Sequence, residues 1–117
     1  MASNTNQTQR TTIAPLLSVR RGPNAIEFYQ QAFGAAVLFR IHSEKGEVFA
    51  RLSVDGAEFW MADESPQDSN FSPESLGGAS ARMLLIVDDP DTAFARAIAA
   101  GAQSRLSAQR PTRLACW

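Results

Sequence analysis

Hydrophobic residues along this chain change rhythm several times, and each change marks an expected element. "IAPLLSV", Ile13 to Val19, is an apolar run of strand length, with Pro15 putting its start at an edge or a bulge. Ala25, Phe28, Tyr29 and Ala32 then recur at helical spacing, and Ile26 and Phe33 widen the stripe. Pro23 suits the first helical turn, where a missing N–H loses no partner, and Gly34 suits the end.

Three period-two segments follow. Ala36 to His42 alternates Val37, Phe39 and Ile41 against Leu38, Arg40 and His42, and "SEKGE" supplies the next turn. Val48 to Val54 sets Val48, Ala50, Leu52 and Val54 against Phe49, Arg51 and Ser53. Asp55-Gly56 predicts a two-residue hairpin, because both residues accept positive φ, and Ala57 to Ala62 is the returning strand. The stretch 63–80, "DESPQDSNFSPESLGGAS", is rich in Ser, Pro, Asp and Gly. It reads as a long loop, of a length that often marks a module junction or a mobile lid.

The opening pattern then restarts. Ala81 to Val87 is a strand, and Asp89 caps a helix with Pro90 in its first turn. Ala93, Phe94, Ala97 and Ile98 form its stripe and Gly101 its stop. Pro23 and Pro90 are 67 positions apart, as are Gly34 and Gly101, while Val19 and Val87 are 68 apart. Such an offset predicts an α+β fold of two strand–helix–strand–strand–strand modules. Module one spans 13–62, the linker 63–80 and module two 81–117, after a flexible polar tail at 1–12. The same offset puts the close of a full second module near position 129, so module two is expected to be truncated by about two strands.

"LLSVRRGPNAIEFYQQAFGA", "ARLSVDGAEFWMADE" and "LLIVDDPDTAFARAIAAGA" together resemble the vicinal oxygen chelate superfamily, the glyoxalase/bleomycin resistance/dioxygenase group, in its PhnB-like branch. The resemblance runs from Ile13 to about Ala102. It implies paired βαβββ modules whose sheets curl around a cavity that binds substrates or drugs, often beside a divalent metal. The family usually ends through a "DPFGHxW"-like turn and strand. "QRPTRLACW" does not match it, which suggests either a truncation or an altered reading frame.

In such proteins the early metal ligands are His or Glu in the first strand of each module. The matching positions here are Ala14 and Arg82. Ala has no donor atom, and Arg offers only N–H groups and repels a cation. With one His and one Cys in the chain, no metal and no cofactor is expected. His42, beside a polar turn, reads as an exposed imidazole rather than a base, and Cys116 as a passive thiol. No catalytic residue is recognisable, and Glu27 and Glu58 do not read as a catalytic pair.

If Ala14 faces inward, as the resemblance implies, so do Leu16 and Ser18, and in module two Arg82, Leu84 and Ile86. In the third strand the inner set is Phe49, Arg51 and Ser53, and Trp60 or Met61 adds a large side chain. The expected ligand-binding residues are therefore Ser18, Phe49, Arg51, Trp60 and Arg82. The arginines suit a small anion and Trp60 an aromatic ring. The same residues would equally fill a core or meet a partner subunit.

Composition narrows the partners. A net charge of −1 gives no bulk pull toward nucleic acid or anionic membrane. No apolar run approaches a membrane span and no signal-peptide centre is present, so a cytoplasmic protein is expected. A single cysteine excludes an internal disulfide. Three functions follow: a metal-free small-molecule binder, a metal-dependent lyase, isomerase or dioxygenase, or a non-catalytic interaction protein. The open edge of a shortened second module favours a homodimer, with Thr112 to Trp117 as an edge strand.

Overall fold

A computed structural model describes residues 10–104 and the backbone of Leu114–Cys116. Module one is complete: β1 (Leu16–Val19), α1 (Gly22–Phe33), β2 (Ala36–His42), β3 (Val48–Val54) and β4 (Ala57–Asp63). The strands form one sheet in the order β1-β4-β3-β2, with β1 parallel to β4 and the other pairs antiparallel. α2 (Pro73–Leu76) lies in the linker, and β5 (Leu84–Ile86), α3 (Pro90–Ala99) and β6 (Leu114–Cys116) follow. This is an α+β fold whose first module is βαβββ. The second is abbreviated to strand, helix and strand among the described residues.

The core lies between α1 and one face of the sheet. Val48, Ala50 and Leu52 of β3 are buried there with Phe59 and Met61 of β4, as the alternation in β3 requires. Ile26 is the fully buried residue of α1 in this cluster, and Tyr29 sets its ring edge-on to Phe59 at 5.3 Å. Burial raises the Tyr29 phenol above its ordinary pKa. Gly34 ends α1 at φ 68°, and its N–H and that of Ala35 bond Gln30 and Tyr29 carbonyls at 3.0 and 3.2 Å. Asp55 and Gly56 both take positive φ, 52° and 89°, as the hairpin expectation requires.

One carboxylate joins three elements. Asp63, at the end of β4, accepts the Gly22 N–H at 2.6 Å and the Val48 N–H at 2.8 Å. It thus ties the first residue of α1 and the first of β3 to the last of β4. A Cβ on Gly22 would lie 2.6 Å from Asp63 Oδ2, so only glycine admits this approach.

Several expectations are corrected. The expected first strand begins at Ile13, but β1 begins at Leu16, after Pro15, which has no N–H for a ladder. Val37, Phe39 and Ile41 do not share a face. The register shifts between Val37 and Phe39, so Val37 pairs with core-facing Leu52 while Phe39 pairs with Arg51. In module two the helix stripe is less buried than expected. Ala97 is buried and Phe94 half-buried, but Ile98 is exposed. α3 packs beside α1, and Arg96 Nε donates to the Gln31 carbonyl at 2.8 Å in the last turn of α1. β5 pairs with β6, antiparallel, in a separate two-stranded sheet, and Leu84 and Ile86 are exposed rather than turned into an enclosed cavity.

Gly22→Ala and Asp63→Asn should each lower unfolding free energy by about 1–3 kcal/mol, the first by steric overlap and the second by leaving an amide without its acceptor. Urea denaturation measures this; a midpoint unchanged in both variants would show that the three-way tie is not needed.

Candidate functional site

The sheet face away from α1 carries the candidate site. Register places Leu16, Trp60, Arg51 and Phe39 in one row across β1, β4, β3 and β2. The next row holds Ser18, Ala62, Phe49 and Ile41. Large apolar side chains remain open to solvent here, with Leu16 58%, Phe39 44% and Ile41 50% exposed.

Trp60 is the centre of this face. Its ring lies 5.2 Å from that of Phe49 and 6.2 Å from that of Phe39, and Arg51 Cζ is 5.5 Å from its centroid. β2 and β4 flank β3, so their backbones stand roughly 10 Å apart. The Phe39 and Trp60 rings nevertheless approach to 6.2 Å, which means they lean toward one another above β3 and Arg51. This accounts for Arg51 Nε, which is buried without a hydrogen-bond partner among the described residues. The tip of the guanidinium emerges beside Glu58, at 3.7 Å, in a half-exposed pair of little net strength. Arg51 thus presents a cation set over the Trp60 ring and only loosely neutralised.

Of the expected ligand-binding residues, the structure brings Ser18, Phe49, Arg51 and Trp60 onto this one face. Met61, the alternative to Trp60, points into the core and is fully buried. Arg82 is exposed on the segment leading into β5, not within the strand. Phe39 and Ile41 join the site although sequence alternation grouped them with Val37; the shift in β2 that moves them has no signature in "AVLFRIH".

The linker adds residues that sequence reasoning missed. The Ser18 hydroxyl bonds the Asn70 side-chain oxygen. Glu64 accepts the Ser72 N–H at 2.8 Å and the Ser75 hydroxyl at 3.0 Å, and Arg20 approaches it at 3.6 Å. The Ser72 amide first, then the Ser75 hydroxyl, hold the Glu64 pKa below its ordinary value. Asp89 is likewise lowered by the Thr92 hydroxyl and then the Thr92 N–H as it caps α3.

Two shallow depressions lie around the linker. One of about 390 Å³ is lined by Arg20, Arg21, Lys45, Glu47 and Asp63; another of about 510 Å³ runs between α1 and the linker, past Ser18 and Asn24 to Glu74. Their arginines are already engaged, Arg20 with Glu64 and Glu74 and Arg21 with Glu74. The aromatic face, with its underused cation, offers the better recognition chemistry although it is less concave.

Ala14 and Arg82 stand at the positions that the family resemblance assigns to early ligands, and no group of three or more His, Cys, Asp or Glu converges among the described residues. His42 is exposed at the end of β2, where its Nε2 accepts the Arg40 Nε–H at 3.1 Å. The Cys116 side chain lies outside the described residues. No helix among the described residues is long and apolar enough to cross a membrane.

No family model matches the chain. It is 36% identical over 94 residues to the uncharacterized protein Mb0911c of Mycobacterium bovis, covering 77% of this chain and 62% of that protein. The uncharacterized protein Rv0887c of Mycobacterium tuberculosis is also 36% identical, with 55% of its length covered. The chain therefore spans little more than half the length of the curated relatives it matches. The X-ray structure of the Arabidopsis thaliana gene product AT5G48480 superposes with a TM-score of 0.59 at 26% identity, covering 81% of this chain and 74% of that one. The βαβββ module resembles that of the glyoxalase/vicinal oxygen chelate superfamily.

Glu64 and Asp89 make stability pH-dependent with one sign. Both folded pKa values lie below the ordinary 4.5 and 3.8, so their contribution is complete above those values and is lost as pH falls through the lowered ones. Acid should therefore lower the protection factor of the Ser72 amide, measured against its intrinsic exchange rate at each pH, and Glu64→Ala, which leaves no acceptor, should lower it at neutral pH as well. Equal protection of Ser72 in wild type and variant at pH 7 would contradict the role given to Glu64.

Proposed function

We propose that this chain is a PhnB-like member of the glyoxalase/bleomycin resistance group that binds a small planar anion, an aromatic ring bearing an acidic group, without a metal. The observation that carries this reading is Arg51: a cation in contact with Trp60, flanked by Phe39 and Phe49, and opposed among the described residues by a half-exposed Glu58. An aromatic ring stacks on this cluster for the dispersion and area it buries, and an acidic substituent takes the guanidinium tip as a charge-assisted donor. Ser18 supplies a hydroxyl in the neighbouring row.

The test uses two fluorescent probes of similar shape. 8-Anilinonaphthalene-1-sulfonate carries an anion; N-phenyl-1-naphthylamine does not. Wild-type protein should bind the anionic probe more tightly. Arg51→Met, which keeps the apolar stem, should weaken the anionic probe about tenfold and leave the neutral one unchanged. Trp60→Ala should weaken both. Equal affinity of wild type and Arg51→Met for the sulfonate would remove the cation from the site. Treatment with EDTA should leave both affinities and the urea midpoint unchanged; a loss on chelation would favour the metal-dependent enzyme reading.

A second reading, a homodimer in which another copy covers the open face, is favoured by the exposure of Leu16, Phe39 and Ile41 around Trp60. Sedimentation at micromolar concentration should then show a dimer that Phe39→Asp dissociates. A monomer at every concentration would leave the face to small molecules.

A further inference from the structure

The linker is built as a strap with a firm root and a weak tip. At the root, Glu64 holds the Ser72 N–H and the Ser75 hydroxyl, and Arg20 donates to Ser75 Oγ at 2.8 Å while approaching Glu74 at 3.7 Å. Ser72 is fully buried in this arrangement, and its hydroxyl accepts the Ser75 N–H to cap α2. At the tip, Ser65 and Asn70 exchange backbone hydrogen bonds at 2.8 and 3.0 Å and fold residues 65–70 into a small closed turn. That turn reaches the candidate site through one exposed side-chain bond, from Ser18 to Asn70. Ser18 stands in the row next to Trp60 and Arg51, on the β1 side of the open face.

We infer that residues 64–77 are a strap gating the β1 side of the open face, with the Ser18–Asn70 bond as its latch and Glu64 as its hinge anchor. The inference rests on the binding reading given above. A ligand entering from this side displaces Asn70, and the freed Ser18 hydroxyl turns to the ligand. Because the latch is a single solvent-exposed hydrogen bond, it closes the strap by a modest factor only, so the tip opens often while the root stays in place. Gating of this kind acts on entry and is indifferent to the charge of what enters.

Stopped-flow fluorescence with 8-anilinonaphthalene-1-sulfonate and N-phenyl-1-naphthylamine tests it. Asn70→Ala removes the latch from the strap side and Ser18→Ala from the sheet side. Either variant should raise the association rate of both probes about fivefold, the Boltzmann factor of one exposed hydrogen bond. The double variant should be no faster than the singles, since both cut the same bond. Unchanged association rates in the variants that fold, with wild-type binding intact, would overturn the gate and leave the binding reading standing. Failure of the wild type to bind either probe would overturn both. Acceleration of the anionic probe alone would also count against the gate, because it would mark a local electrostatic effect.

Discussion

The arrangement of module one turns on the Asp63 carboxylate, which receives backbone N–H groups from Gly22 and Val48 at once. A carboxylate accepting two main-chain donors fixes direction as well as distance. It sets where α1 leaves β1, and therefore which sheet face the helix covers. With α1 committed to the face of Val48, Ala50, Leu52, Phe59 and Met61, the opposite face keeps Arg51 and Trp60 open. The tolerance is narrow, because a single carbon added at Gly22 would meet that carboxylate. Arg21, just before it, holds a left-handed φ of 61° that an arginine adopts at a cost. The turn is thus shaped by what Asp63 requires.

What could be read from sequence was what local rules control. The alternation in "VFARLSV" separates the core face from the open face correctly, and Asp55-Gly56 makes the turn its chemistry dictates. Ser18, Phe49, Arg51 and Trp60 share a face for the same reason. The failures are equally physical. A one-residue shift in β2 carries Phe39 and Ile41 to the other face, and strand periodicity assumes there is none. Asn70 and Glu64 sit in a Ser- and Pro-rich stretch whose order comes from side chains bonding partners that pattern cannot identify, one of them 52 residues away. Arg82 entered as an extrapolation from the repeat, yet β5 starts only at Leu84.

The two modules keep the repeat in their helices more than in their sheets. α1 carries Pro23 in its first turn and α3 begins at Pro90, and a glycine with positive φ lies just past each helix, Gly34 after α1 and Gly101 two residues after Ala99. α3 nevertheless lies against α1, with Arg96 on the carbonyl of Gln31, and a cation there meets the negative end of the α1 dipole. The second helix is therefore held by the first module rather than by a large sheet of its own. A fold whose repeat is legible can in this way place its second copy by packing one helix on the other, with Arg96 as a polar tie.

The irregularity in β2 has a meaning beyond the faces it exchanges. β2 is an outer strand of the sheet, and Leu38, Phe39 and Ile41 make it an apolar one. A straight strand of that composition would present evenly spaced N–H and C=O groups to any other extended chain, the template from which fibrillar stacking grows. The shift between Val37 and Phe39 interrupts that spacing in the middle of the strand. An incoming segment can match the register on one side of Leu38 or the other, but not along the whole length, which disfavours continuous edge-to-edge pairing along this uncovered border.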